Sequence, residues 1–401
     1  DYAQGFIFPQ FASHNAHTVA SVLNMAEENG AEYEFQRLHC MGDALYAVVL
    51  GEVPQVPVRI YAPVGAHKDL LPYLVRRLLE NGANSSFVHR LVDADTPIED
   101  LTGHPADALR AYSSLTDLRI PRPPEIYGAQ RRNSRGHNLA VLSELRPFQQ
   151  GIERWAEHHW KAAPVINGER CYSESKTRVT NPHDRERVAG EISWSRQDTV
   201  ETAMCSAHEA FEPWNRTPAE ERAKCMEAFA DRLEANEHEL IALCSREAGK
   251  SLLDGIAEVR EAVDFCRYYA MQARRQFAEP MEMPGPTGES NEYYLEGRGV
   301  FLCISPWNFP VAIFTGQIMA ALAAGNTVLA KPAEQTSLIG FRAVELMLEA
   351  GFPPGVIQYL PGDGAGIGNQ VLPDQRLAGV TFTGSTGVAH HISRTLAARE
   401  G

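Results

Sequence analysis

Leu302-Cys303-Ile304-Ser305-Pro306-Trp307-Asn308-Phe309-Pro310 is the stretch on which the fold turns, together with Lys331-Pro332-Ala333-Glu334 and Phe382-Thr383-Gly384-Ser385-Thr386. The run Val300-Phe301-Leu302-Cys303-Ile304 is apolar without alternation, which suits a strand buried on both faces of a parallel sheet. It stops at Ser305-Pro306, because proline cannot continue a hydrogen-bonded ladder. A helical pattern over 311–324, ended by Gly325-Asn326, leads to a second strand, Thr327-Val328-Leu329-Ala330, which delivers Lys331 at its carboxyl end. Helix 337–350, strand 356–360, a short helix at 366–371 and strand 379–382 follow. Alternating strands and helices with short loops predict a doubly wound parallel sheet. Ligands of such sheets bind where the strands end, and Asn308, Lys331, Gly362, Gly364 and Ser385 all fall there. The glycines of Gly362-Asp363-Gly364-Ala365-Gly366-Ile367-Gly368 miss the spacing of a dinucleotide fingerprint, so a loop with a helix start is the plainer reading.

These motifs, in this order on these elements, resemble the cofactor half of the aldehyde dehydrogenases over roughly residues 165–401. The resemblance implies that Asn308 donates its amide to the oxyanion of a thiohemiacetal. It also implies that Lys331 holds a ribose hydroxyl of NAD with Glu334 nearby, and that Ser305, Pro306, Trp307, Gly364, Phe382, Gly384 and Ser385 line the NAD site. Taken singly, Asn308 also reads as a turn residue after a proline, and Lys331 as a solvated strand end. The family's glutamate base, in a Glu-Leu-Gly-Gly segment downstream of the last motif, and its nucleophilic cysteine further on are not present. The seven cysteines, Cys40, Cys171, Cys205, Cys225, Cys244, Cys266 and Cys303, all precede Thr386 and show no metal-ligand spacing. Thiols in a reducing compartment and no metal site are expected. Cys303 reads as a small apolar residue of a core strand.

The other end carries a different pattern. Phe6-Ile7-Phe8, Tyr33-Glu34-Phe35-Gln36-Arg37-Leu38 and Val58-Arg59-Ile60-Tyr61 read as strands, with a helix over 16–28 closed by Asn29-Gly30. Ser13-His14-Asn15, Gln36 and Tyr61 gather at strand ends, where a β/α barrel places its chemistry. In the next helix Asp69 reads as N-cap, Pro72 as a first-turn residue and Gly82 as the end. Tyr73, Arg76, Arg77 and Glu80 fall within a sector of roughly 100°, opposite Leu71, Leu74, Val75, Leu78 and Leu79. A solvated polar face is the plain alternative.

The words Phe11-Ala12-Ser13-His14-Asn15, Tyr61-Ala62-Pro63-Val64-Gly65 and Tyr73-Leu74-Val75-Arg76-Arg77, continuing through Gly82-Ala83-Asn84-Ser85-Ser86-Phe87, resemble the last strands and final helix of a proline dehydrogenase barrel. That barrel is the one found in the bifunctional bacterial proline utilization A flavoenzymes. The resemblance implies that Arg76 and Arg77 bind the proline carboxylate, since two planar guanidinium forks suit a carboxylate better than lysine does. It implies that Tyr61, Tyr73 and Leu38 shape the pocket beside the flavin, and that Ser13, His14, Asn15, Gln36 and Glu80 contact FAD. One departure is visible: the family's Leu-His-Gly-Met reads Leu38-His39-Cys40-Met41 here.

Both resemblances in this order imply a fold in the α/β class, with residues 1–115 as the C-terminal part of a (β/α)8 barrel, 116–165 as a linker, and 166–401 as the NAD-binding part of an aldehyde dehydrogenase. A barrel alone takes about 250 residues, so the chain is expected to be an internal slice of a larger protein. The implied activity is oxidation of L-proline to L-glutamate through FAD and then NAD, with glutamate semialdehyde (from pyrroline-5-carboxylate) as the second substrate and quinone as electron acceptor. The alternatives are a monofunctional aldehyde dehydrogenase with a degenerate barrel and a flavin-switched transcriptional regulator. A homo-oligomeric, cytoplasmic enzyme is expected, with room for peripheral association with the inner membrane. The Pro-rich Ile120-Pro121-Arg122-Pro123-Pro124 and the basic Arg131-Arg132-Asn133-Ser134-Arg135 read as interdomain connection, partly helical near 139–145 and 151–159, its arginines solvated or on a phosphate. Further on, Thr217-Pro218-Ala219-Glu220 reads as a capping box. Composition, at 44% hydrophobic and 22% charged, is that of any globular domain. A net charge of -14 argues against nucleic-acid binding by this portion, and no apolar run spans a bilayer.

Overall fold

The computed structural model describes residues 6–82, 90, 93–114, 116, 117 and 119–399. The chain divides at Arg119 and Ile120 into two compact units.

In the first unit, β1 (Gln10–Ala12), β2 (Glu34–Leu38) and β3 (Val58–Tyr61) form a parallel sheet in that order, each followed by a helix: α1 (Ala16–Asn29), α2 (Asp43–Glu52) and α3 (His67–Gly82). Val19, Phe35, Tyr46, Val49 and Val56 make its core. The first strand is Gln10–Ala12 and not Phe6-Ile7-Phe8, because pairing starts only after Pro9, whose carbonyl accepts from Glu34 N; Phe6, Ile7 and Phe8 are exposed. Helix α3 begins two residues before Asp69, so Pro72 lies inside it rather than in its first turn. Tyr73 and Arg77 are half-buried, whereas Leu71, Leu74, Val75 and Leu79 are 57%, 43%, 45% and 71% exposed. Arg76, on the same face, is exposed.

In the second unit a six-stranded sheet runs in the order β14-β11-β12-β13-β5-β6, from β5 (Val165–Ile166), β6 (Glu169–Arg170), β11 (Val300–Ile304), β12 (Thr327–Lys331), β13 (Ile357–Tyr359) and β14 (Leu377–Phe382). The four strands β14, β11, β12 and β13 are mutually parallel; β5 and β6 add antiparallel. Both faces are buried. Val300, Leu302 and Leu329 enter one core, while Cys303, Val328 and Ala330 enter the other, which is the period-two consequence of a strand covered on both sides. Helices α9 (Ala312–Ala323), α10 (Ser337–Glu349), α11 (Gly364–Val371) and α12 (Thr386–Ala397) follow β11 to β14 in turn. Ahead of them lie α4 (Leu142–Glu153), α5 (Gln197–Asn215), α6 (Ala219–Ala235), α7 (Glu237–Ala248) and the long α8 (Leu252–Phe277).

Besides the edge strands β5 and β6, two strand groups were not anticipated: a three-stranded sheet of β4 (Trp160–Ala162), β8 (Asp184–Ile192) and β7 (Thr177–Asn181), and an antiparallel hairpin of β9 (Met281–Met283) and β10 (Asn291–Tyr293). The expected capping box is absent, because Thr217 Oγ1 donates back to Pro213 O, and Pro218 precedes α6 without a side-chain cap. The basic segment is only partly solvated: Arg132 and Arg135 are exposed, and Arg131 is half-buried. Arg131 pairs with Asp264 at 2.9 Å, the Ser134 backbone and hydroxyl both donate to Asp264, and Arg135 pairs with Glu237, so residues 131–137 are stitched to α7 and α8. No helix among the described residues is long and apolar enough to cross a membrane.

Candidate functional sites at two strand-end edges

In a parallel sheet the strands finish at one edge, so the loops after β1, β2 and β3 converge. Ser13-His14-Asn15 follow β1. Asn15 caps α1, its Oδ1 accepting from Thr18 N, while the Ser13 carbonyl accepts from Tyr46 Oη at 2.7 Å. His14 reaches across to β2, where its Nε2 accepts from Leu38 N at 3.4 Å. That bond puts the proton on Nδ1. Burial lowers the His14 pKa, and the nearby Arg77 and Arg37 charges lower it further, which keeps the ring neutral.

Consecutive helical residues diverge by 100°, yet Tyr73 stands four and three positions before Arg77 and Arg76, so both lean over one ring. Their guanidinium carbons lie 5.4 and 5.9 Å from its centroid. Tyr61 ends β3. The backbone of Glu80 belongs to α3; its side chain lies outside the described residues, as do residues 83–87 of the quoted word.

Gln36 is placed differently from its sequence reading. Its amide nitrogen donates to Glu34 Oε1 at 2.9 Å, alongside Gln10 and a two-pronged contact from Arg59, both bonds 2.7 Å. The Arg59 bonds are the chief cause that brings the Glu34 pKa down to about 2. This polar knot ties β1, β2 and β3 together, and no periodicity in the sequence announced it.

Cys40 stands where the resembled family has glycine, and its φ of 64° lies in the left-handed region. A side chain there costs about 1–2 kcal/mol that glycine avoids. Cys40→Gly is therefore expected to raise stability, by about 1 kcal/mol after allowing for the freer unfolded glycine; equilibrium urea unfolding of the two proteins would show it, and an unchanged or lower midpoint would contradict it.

The second edge lies at the carboxyl ends of β11, β12, β13 and β14. Ser305 is buried and donates its N–H to Lys331 O, and beyond Pro306 the chain emerges, leaving Trp307 and Asn308 exposed. Lys331 is 4% exposed, with Nζ donating to Pro332 O at 2.9 Å; burial lowers its pKa, against Glu334 and Asp363, which raise it. It is thus a buried amine, not a solvated strand end. Glu334 Oε1 accepts from Gly364 N at 3.1 Å, and Asp363 caps α11 through Gly366 N, confirming a loop with a helix start. A Cβ on Gly364 would stand 3.8 Å from Lys331 Cε and 3.9 Å from Nζ, so the bare glycine keeps the amine approachable. Phe382 closes β14. Thr383 N donates to Ile304 O, Gly384 follows, and Ser385 caps α12 through Val388 N. Gln317 of α9 donates to Thr383 Oγ1 at 3.0 Å.

A buried ammonium beside a carboxylate offers a donor and an acceptor to neighbouring ribose hydroxyls, and the helix N-termini at Gly364 and Thr386 suit a pyrophosphate, so the residues fit NAD. At the first edge, His14 and the Arg76 and Arg77 cations fit an anionic substrate beside a flavin. Cys303 is 1% exposed, and desolvation pushes its thiol up to about 12, which disfavours the thiolate that a nucleophile needs. No group of three His, Cys, Asp or Glu among the described residues could hold a metal ion.

Sequence reasoning missed two carboxylates of α7 and α8. Glu247, buried, accepts from Leu338 N and Ile339 N at the start of α10, directly after the Lys331–Glu334 loop. Glu258, 1% exposed, does the same for α9. No local signal in the sequence marked either of them, because their partners lie 91 and 53 residues away.

Residues 171–401 match the family model described as "Aldehyde dehydrogenase family", and residues 2–90 match "Proline dehydrogenase". The "Bifunctional protein PutA" of Salmonella typhimurium is 46% identical over 98% of this chain, which spans only 30% of that protein. The "1-pyrroline-5-carboxylate dehydrogenase 2" of Bacillus subtilis is 38% identical over 64% of this chain and 50% of its own length. Among solved structures, proline utilization A from Bdellovibrio bacteriovorus, inactivated by N-propargylglycine, superposes with a TM-score of 0.81 at 33% identity, covering 99% of this chain and 41% of that one. The fold is accordingly the later part of a β/α barrel followed by a Rossmann-like domain. A match running unbroken from Cys171 to Gly401 settles the family: this chain belongs to the aldehyde dehydrogenases.

Proposed function

We propose that this chain is part of a bifunctional enzyme that oxidises L-proline to L-glutamate. The carrying observation is that two strand-end clusters, one with a paired-arginine helix and one with a buried lysine beside an exposed amide, stand on one polypeptide in the order that both family matches give. Proline loses two electrons and two protons to give pyrroline-5-carboxylate. Water opens that imine to glutamate semialdehyde, and the aldehyde loses a hydride and gains water's oxygen to become the carboxylate. FAD would take up the electrons of the first oxidation, passing them to a quinone, and NAD those of the second.

In this reading residues 1–115 supply barrel elements, 116–165 connect, and 166–401 bind NAD. Arg76 and Arg77 hold the proline carboxylate, with Tyr61, Tyr73 and Leu38 shaping the pocket. Ser13, His14, Asn15, Gln36 and Glu80 face the flavin; for Gln36 this role falls to the amide oxygen, because the nitrogen is engaged with Glu34. Asn308 donates to the aldehyde oxygen as it becomes an oxyanion. Ser305, Pro306, Trp307, Lys331, Glu334, Gly364, Phe382, Gly384 and Ser385 hold the dinucleotide. A homo-oligomer, cytoplasmic and peripheral to the inner membrane, completes the proposal. The monofunctional and regulatory alternatives gain nothing from the matches.

Lys331→Met in the full-length protein tests the NAD assignment. It keeps the length of the side chain and removes charge-assisted bonds worth roughly 1.5–3 kcal/mol, so the KM for NAD should rise about 10–150-fold. Proline oxidation with an artificial acceptor should stay normal; an unchanged KM for NAD would remove Lys331 from the site.

A further inference from the structure

Helix α9 begins without a cap of its own. Val311 at its N-cap has no side-chain acceptor, and its first turn carries no acidic residue, so its leading N–H groups need partners from elsewhere. Glu258 of α8 supplies them: Oε2 accepts from Val311 N at 3.1 Å and from Ala312 N at 3.0 Å. Its other oxygen, Oε1, is 2.7 Å from Lys250 Nζ. The carboxylate is 1% exposed, and these three donors satisfy both of its oxygens in the interior.

Lys250 is itself fixed. Gly249 ends α7 in the left-handed region at φ 69°, Gly249 N donates to Ser245 O and Lys250 N to Cys244 O, and Ser251 caps α8 directly afterwards. From this rigid turn the ammonium reaches both Glu258 and the ring of Phe309, with Nζ 4.6 Å from its centroid. Phe309 is the neighbour of Asn308, and Val311 follows three residues after that amide. The loop carrying Asn308 is thus gripped on both sides of Pro310, by a cation on Phe309 and by a carboxylate on Val311 and Ala312.

We infer that Lys250 and Glu258 are positioning residues for the oxyanion amide of Asn308, setting its loop through Phe309 and the start of α9 without touching substrate. The inference rests on the reading of Asn308 as oxyanion donor. Positioning matters because a displacement of about 1 Å at a preorganised donor costs about 10²-fold in rate.

The test is a double-mutant cycle in the full-length protein, following NADH with glutamate semialdehyde as substrate. Lys250→Met should lower kcat about 10–100-fold while the KM for NAD stays within about twofold, because Lys331 and Glu334 lie on another loop. Lys250→Arg, which can still pair with Glu258 and stack on Phe309, should keep most of the activity. Lys250→Met combined with Asn308→Ala should be no slower than Asn308→Ala alone, the signature of two residues acting through one group. Glu258→Gln, similar in shape and able to accept one bond, gives a second route should Lys250→Met fold poorly; its loss should likewise vanish in the Asn308→Ala background. Losses that multiply in the double variants, a KM for NAD that rises as far as kcat falls, or full activity in both single variants would overturn the positioning role. Normal kcat in Asn308→Ala would instead overturn the oxyanion reading, and the positioning role with it.

Discussion

Arg76→Met and Arg77→Met in the full-length protein should each lower kcat/KM for proline about 10–150-fold, with most of the effect in KM. Each substitution removes charge-assisted bonds to a desolvated carboxylate, worth roughly 1.5–3 kcal/mol, and keeps the aliphatic stem. The geometry favours a joint site, since Tyr73 holds both guanidinium groups within 6 Å of one ring, at 5.9 and 5.4 Å, and so restricts their rotamers before substrate arrives. The double variant should lose less than the product of the two, because both forks address one anion. Aldehyde oxidation should be unaffected. Unchanged proline kinetics in both single variants would remove the arginine pair from the site.

Asn308→Ala should cut aldehyde oxidation by about 10²–10³ in kcat while leaving proline oxidation at the flavin nearly untouched. The amide follows a buried strand and a proline, which fix where it emerges, and it stands exposed at the edge where Lys331 and the Ser385 loop also end. NAD affinity should change little, because ribose and phosphates are assigned to Lys331, Glu334 and the Ser385 loop and not to this amide. A polypeptide of residues 1–401 alone should turn over no aldehyde. Of its seven cysteines, Cys244, Cys266 and Cys303 are buried with thiols pushed above their usual range, and none follows Thr386.

Strand β11 was legible to the residue, as was β3, because an unbroken apolar run and a short β-branched run between breakers leave few alternatives. The strand-end location of Asn308, Lys331, Gly364 and Ser385 followed from alternation alone. The hairpin β9–β10 was not legible: all six of its strand residues are exposed, so no burial pattern marks it. The shift of β1 from Phe6 to Gln10 shows apolar content misleading where pairing partners decide. The two carboxylate clamps lay furthest out of reach, since Glu258 caps a helix 53 residues later and Glu247 one 91 residues later, and nothing local distinguishes them from solvated helix acids. The same holds for Asp264, whose partners lie 130 residues earlier at Ser134. Local rules placed the strands of the parallel sheet β11 to β14; long-range hydrogen bonding decides much of the rest.

The measurement that bears most directly on the whole account is an anaerobic reaction of the full-length protein with L-proline, NAD and a quinone acceptor, following flavin absorbance, NADH and glutamate together. Proline is expected to bleach the flavin, NADH then to form mole for mole with proline consumed, and glutamate to be the product. Arg76→Met should slow both signals at limiting proline, and Asn308→Ala only the second. A protein that carries no flavin, or that oxidises added aldehyde while leaving proline unchanged, would contradict it.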